Sequence, residues 1–241
     1  MSGADHFFST DHVAVYLTTR SLVEDQPLAI KPIHDTVLGL DGRSYGVFGL
    51  GQSIVSMPLY LGGRVVEAIS SDSLKSYWGS VDLGDWGGTV PIYFVSLLNQ
   101  FITPLICILV LLFCLELGFP IRTAFGTTLL FGFSTAAWVY ARDHFQNPLE
   151  TLLLLLAIYI LFRFRARLEP KHAFLASISL ALGVLTRVNL VLLVPPLLFY
   201  LAYLVSKNGS SHQETGGEMF EGMLTQSTSS TGSRLMCIVI S

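Results

Sequence analysis

Asp11-His12 opens a helix-like stretch near the start of the chain. A carboxylate there either caps the helix or serves as a general base presented at a surface. Arg142-Asp143-His144 places three titratable residues in a joint between two apolar runs; it reads as a wet loop or as a cluster sharing a side with Asp11. Glu150 lies about one turn inside an apolar run, where an ionisable residue is a functional candidate by default. Asn147-Pro148-Leu149-Glu150 also has the form of a capping box, with proline at the first helical position, and the cap is the favoured reading. Arg187, in the last joint, either snorkels to an interface or meets a phosphate through two parallel hydrogen bonds.

Other patterns carry less. Tyr45-Gly46-Val47-Phe48-Gly49-Leu50-Gly51-Gln52 is glycine-rich, but no Lys-Ser/Thr follows and no strand is expected before it, so it is not a phosphate loop. Cys107, Cys114 and Cys237 lack metal spacing, and the first two read as small core residues. No Ser-His-Asp set and no His-Glu-x-x-His is present, and neither a cofactor nor a metal site is indicated.

The elements that must hold these residues follow from composition. The chain has 241 residues, 51% hydrophobic and 13% charged, where soluble domains carry about 25% charged residues. So much apolar surface cannot be hidden inside a soluble protein of this size, so an integral membrane protein is expected. A net charge of −3 excludes the basic field of a nucleic-acid binder. Three parts are expected: an acidic head over 1–91 with ten acids and five bases, a membrane helix bundle over 92–206, and a tail over 207–241. Residues 206–233 hold 16 Ser, Thr or Gly among 28, which predicts disorder.

A span needs roughly 20 apolar residues. Polar and Pro/Gly-marked joints divide the bundle into helices near 92–117, 121–140, 148–164, 172–186 and 189–206, with Pro195-Pro196 expected to bend the fifth. The joint at 163–171 carries Arg163, Arg165, Arg167 and Lys171; five spans put six bases on its side and only Arg142 and Arg187 on the other. By the positive-inside rule the 163–171 joint is cytoplasmic. The head and the 141–147 joint are then outside the cytoplasmic membrane, on one face. Stretches at Thr10 to Glu24 and Gln52 to Ile69 suit helices lying on the membrane surface, with a turn at Gly39-Leu40-Asp41-Gly42 between them. No apolar segment precedes the head to carry it across, so a fragment lacking its first membrane helix is expected.

Taken in order, Asp11-His12, Asp41-Gly42-Arg43-Ser44-Tyr45, Gly49-Leu50-Gly51-Gln52, Met57-Pro58-Leu59-Tyr60, Tyr140-Ala141-Arg142, Asn147-Pro148-Leu149 and Leu185-Thr186-Arg187 resemble the bacterial GT-C glycosyltransferases related to protein O-mannosyltransferases and aminoarabinose transferases. The resemblance covers about 5–205 and rests on order and spacing. It implies an all-α membrane transferase with a partial GT-C fold, about five membrane helices and an extracytoplasmic site. The donor would be a polyprenyl-phosphate sugar and the acceptor is not specified. Asp11 falls on the family's catalytic acid and Asp143 on its further acid, while Arg142, Arg187, Tyr45, His144 and Glu150 are the candidate substrate-binding residues. The chain departs from its relatives where many carry a lysine that meets the donor phosphate: Val47 and Phe48 stand there. Two rival readings are a transporter portion with Glu150, Asp143 and Arg187 along a polar path, and a truncated, inactive membrane protein.

Overall fold

The computed structural model describes residues 10–24, 28–74, 89–142, 144–166 and 169–207. Asp143, Arg167 and the Ser/Thr/Gly-rich tail lie outside the described residues. The head contains α1 (Thr10–Val23), a hairpin of β1 (Thr36–Leu38) and β2 (Ser44–Gly46), and α2 (Leu50–Ile69). The bundle follows with α3 (Thr89–Ser96), α4 (Leu98–Glu116), α5 (Ile121–Ser134), α6 (Ala136–Tyr140), α7 (Asn147–Arg163) and α8 (Pro170–Thr186). A 3₁₀ segment, Val188–Leu193, then runs into α9, residues 194–207.

The hairpin pairs antiparallel with Val37 opposite Tyr45. Gly42, at φ 74°, closes its turn in the left-handed region that glycine tolerates. The strand Ser44–Gly46 stands before the glycine-rich segment, where none was expected. Its glycines nonetheless serve packing, as shown below.

In α2 the usual amphipathic pattern is reversed. Its buried face is small and polar (Gly51, Gln52, Ser53, Ser56, Tyr60, Gly63), and its exposed face carries Ile54, Val55, Leu61, Val65 and Ile69. The buried face lets α2 lie close against α1, α3 and α8, and the apolar outer face suits lipid. Tyr60 donates to Glu24 at 2.6 Å and Arg20 Nε donates to the same carboxylate at 2.9 Å, which pins the end of α1 to α2. Burial works against the Glu24 charge, yet these two hydrogen bonds outweigh it and hold the carboxyl below its ordinary range.

The bundle's core runs from Leu98, Ile102 and Ile106 of α4 to Leu149 of α7, and from Ala157 and Leu161 of α7 to Ala176 of α8. Outward-facing rows on α4 (Phe101, Leu105, Ile108, Leu112) and α8 (Leu175, Ile178, Leu182, Leu185) are exposed and apolar. Rows spaced three and four apart on the outside are what a lipid-facing helix requires. The inner face of α8 is Ala176, Ser179, Gly183 and Thr186, small residues that let membrane helices approach closely. There Ser179 Oγ donates to the Leu153 carbonyl of α7 at 2.7 Å.

The helices depart from the expected set in several places. Val90–Glu116 forms one apolar run of 27 residues, and Val188–Lys207 one of 20; these two are long and apolar enough to cross a bilayer. α7 and α8, at 17 residues each, rise about 26 Å against a hydrocarbon core of about 30 Å. The helix expected over 121–140 breaks at Thr135, whose extended backbone (φ −117°, ψ 179°) starts α6 while its hydroxyl accepts from the Ala137 N–H. The expected fifth helix divides just before Pro195-Pro196, into the 3₁₀ segment and α9. The prolines sit in the first turn of α9, where their missing N–H groups have no intrahelical acceptor to serve. Between α4 and α5, Gly118 (φ 86°) sits just past the helix end; its N–H donates to Leu115 O at 3.0 Å and Phe119 N–H to Cys114 O at 3.1 Å, before Pro120.

Candidate functional site

Four segments far apart in sequence converge at one end of the bundle. A small cavity, partly open to solvent, is lined by Asp11, Val15, Phe48, His144, Phe145, Gln146, Asn147 and Arg187. Asp11 enters from the first turn of α1, half-buried, where the helix N-terminus favours a carboxylate. The opposite end of the bundle is tied by an ion pair between Glu116, ending α4, and Arg163, ending α7. A capping box closes the start of α8 at that end, formed by Glu169 and His172.

Arg187 terminates α8 with an extended backbone (φ −151°, ψ 117°). Its N–H donates to Gly183 O at 2.9 Å and its carbonyl accepts from Leu190 N–H at 3.1 Å. Gly49 and Gly51 seat this corner. A Cβ on Gly49 would overlap the Leu185 carbonyl, and one on Gly51 would overlap the Thr186 hydroxyl and come within 2.7 Å of Thr186 Cα. The glycine pair therefore exists for close approach of α2 to the end of α8. Arg187 Nη1 donates to Asn147 Oδ1 at 3.0 Å and to Glu150 Oε2 at 3.4 Å.

The capping box expected at Asn147-Pro148-Leu149-Glu150 is not formed. The N-cap is Gln146, with no side-chain cap bond, and the oxygens of Asn147 and Glu150 accept from Arg187 instead. A guanidinium within reach outcompetes a neutral N–H for a carboxylate, because charge-assisted hydrogen bonds are roughly twice as strong.

His144 is fully buried under the head. Its Nε2 lies 3.4 Å from Ser56 Oγ. Burial, helped by the neighbouring His12, pushes its pKa down to about 3, so the ring is neutral at physiological pH. Phe145 packs edge-on between His12 (4.2 Å) and Tyr140 (5.4 Å). The Phe145 carbonyl accepts from Asn99 Nδ2 at 2.8 Å and from Gln52 Nε2 at 3.5 Å. These two amides anchor the joint from α4 and α2, and that anchoring holds His144 and Gln146 in place.

Asp11, His144 and Arg187 thus line one cavity, and Glu150 reaches it through Arg187. Tyr45 does not line it: its hydroxyl donates to Asp41 Oδ2 at 2.7 Å within the hairpin. Arg142 is exposed in the turn after α6 and is not among the lining residues. Sequence reasoning missed Gln146, Gln52 and Asn99. Asn99 had a usable signal, a carboxamide inside an apolar helix; Gln52 and Gln146 stand in polar surroundings that single out neither. Among the described residues no group of three or more His, Cys, Asp or Glu is disposed to hold a metal ion.

The fold is thus a bundle of apolar helices, two of them long enough to cross a bilayer, with a carboxylate and a guanidinium lining one cavity at its end. The family model for dolichyl-phosphate-mannose-protein mannosyltransferases matches residues 89–216, more than half of the chain. The chain belongs to this family of GT-C membrane glycosyltransferases. Arg142, His144, Gln146, Asn147, Glu150 and Arg187 lie within the matched span, whereas Asp11, Tyr45 and the rest of the head precede it. Neither a curated protein nor a solved structure matches the chain.

Proposed function

We propose that the chain transfers a sugar from a polyprenyl-phosphate-linked donor to an acceptor hydroxyl on the extracytoplasmic side of the cytoplasmic membrane. The observation that carries this reading is the convergence of Asp11 and Arg187, 176 positions apart, on one cavity at the end of the bundle. In the reaction, Asp11 accepts the proton of the acceptor hydroxyl while its oxygen attacks the anomeric carbon. The bond from that carbon to the phosphate oxygen breaks, and its electron pair leaves with the lipid phosphate. Arg187 stabilises the charge growing there. A single displacement inverts the anomeric centre. His144, neutral and buried, cannot supply a charge and acts as a hydrogen-bonding wall.

Orientation follows from the basic joint at 163–171, which is cytoplasmic when α3–α4, α5–α6, α7, α8 and α9 make five passes. Sugars activated on a polyprenyl phosphate present their reacting carbon at the membrane surface, where nucleotide sugars are absent, and the apolar outer face of α2 suits that surface. The test is transfer of radiolabelled sugar from a polyprenyl-phosphate donor to membrane acceptors by the purified chain in bilayers. Label remaining wholly on the lipid, with the chain folded, would reject the activity.

A further inference from the structure

We propose that Asn147 and Glu150 are positioning residues that hold Arg187 with one edge of its guanidinium open to an oxyanion. This rests on the donor-phosphate role given to Arg187 above. Both hydrogen bonds from the side chain leave through a single nitrogen, Nη1, toward Asn147 Oδ1 at 3.0 Å and Glu150 Oε2 at 3.4 Å. The Nε–Nη2 edge makes no hydrogen bond among the described residues. That edge carries two parallel N–H groups at the spacing of two phosphate oxygens, which an ammonium cannot reproduce.

The two acceptors sit three residues apart on the first turn of α7, so they share one face. The Arg187 side chain is 40% exposed and lines the cavity, and the Glu150 side chain is 22% exposed. The backbone is held independently: α8 ends at Arg187, and Gly49 and Gly51 leave no room for that corner to shift toward α2. An arginine fixed at its backbone and at one nitrogen has lost most of its rotamer freedom before a ligand arrives, which reduces the ordering cost of binding. A plain tether between α7 and α8 would need only the contact; it would not need the double-donor edge left open.

The experiment titrates a polyprenyl phosphate, with the uncharged polyprenol as control, into the folded full chain in detergent. Wild type should prefer the phosphate. Asn147→Ala should weaken that binding by about tenfold, the scale of one lost charge-assisted hydrogen bond. Glu150→Ala, which leaves the first residue of α7 intact, should give a loss of the same order. Glu150→Gln keeps an acceptor oxygen and removes a charge that opposes the phosphate, so it should bind at least as tightly as wild type. In an Arg187→Ala background neither alanine change should weaken binding further, because both act through the guanidinium. Wild-type affinity in both alanine variants, a loss in Glu150→Gln, or losses that persist without Arg187 would each overturn the assignment while leaving the donor reading intact. No preference of wild type for the phosphate over the polyprenol would overturn the donor reading, and this assignment with it.

Discussion

His144 and Gln146 flank Phe145, and both are buried polar side chains at the edge of the cavity. Of the two, only the imidazole can ionise. Its pKa is pushed down to about 3 in the fold, against about 6.5 in an unfolded chain. Below about pH 6.5 the unfolded state therefore binds a proton that the folded state does not, and stability falls as pH falls toward about 3, by up to about 1.4 kcal/mol per pH unit. The melting temperature in detergent should drop between about pH 7 and pH 5. His144→Gln should show a shallower drop; equal slopes would mean the ring is not held neutral. Gln146 is 6% exposed, and neither end of its carboxamide has a hydrogen-bond partner among the described residues. An unsatisfied buried amide costs about 1–3 kcal/mol. Gln146→Leu should raise thermal stability and lower sugar transfer together, as at a position where stability is given up for a hydroxyl-bearing ligand. Unchanged transfer would leave the amide without a role in binding. Asp11 is the carboxylate lining the same space. Asp11→Asn should keep expression and melting behaviour and reduce transfer about 10²- to 10⁴-fold; turnover at the wild-type rate would remove it from the mechanism.

The elements meet through small residues. Gly49 and Gly51 at the start of α2 lie against Leu185 and Thr186, Gly63 lies with Pro91 Cα 2.6 Å from where its Cβ would be, and Gly183 faces Leu190. Two of these contacts decide where Arg187 stands. Gly51→Ala would force a methyl into Thr186, and overpacking of this kind costs typically 1–3 kcal/mol. The displaced α8 corner should also weaken phosphate-lipid binding. Gly126→Ala is the control, because a Cβ there meets open space. Gly51→Ala matching the control in both melting temperature and lipid binding would show that the α2–α8 contact does not set the corner. The Asn-Pro-Leu-Glu segment shows the same dependence on neighbours. Its local pattern is that of a cap, but a guanidinium arriving from another helix claims both side-chain oxygens.

Across the whole molecule the charges separate by end. Arg163, Arg165 and Lys171 stand with the Glu116–Arg163 pair at one end, and Asp11 and Arg187 at the other. With the first end cytoplasmic, a cysteine placed at Asp35 in the head should react with a membrane-impermeant thiol reagent in intact cells, and one at Arg165 should react only after the membrane is opened. The reverse pattern would overturn the orientation. That this is a membrane protein of helices, with an acidic head and an apolar bundle divided near 118–122, 142–147, 163–171 and 187–189, was determined by the sequence alone. Hydropathy and charge act over whole segments, and no tertiary contact can hide so much apolar surface from water. The same holds for Asp11 in a first helical turn, which needs only local chemistry. The tertiary structure decided what the single residues do. It turned Arg187 onto Asn147 and Glu150, kept Tyr45 with Asp41 in the hairpin, and made the glycines before Gln52 a seat for α8. It also broke the second helix at Thr135 and placed Pro195-Pro196 at a helix start. The Arg187 hydrogen bonds join residues 40 and 37 positions apart and the glycine contacts join residues 135 and 136 apart; such groups come within about 3 Å, the reach of a hydrogen bond, only when the helices pack.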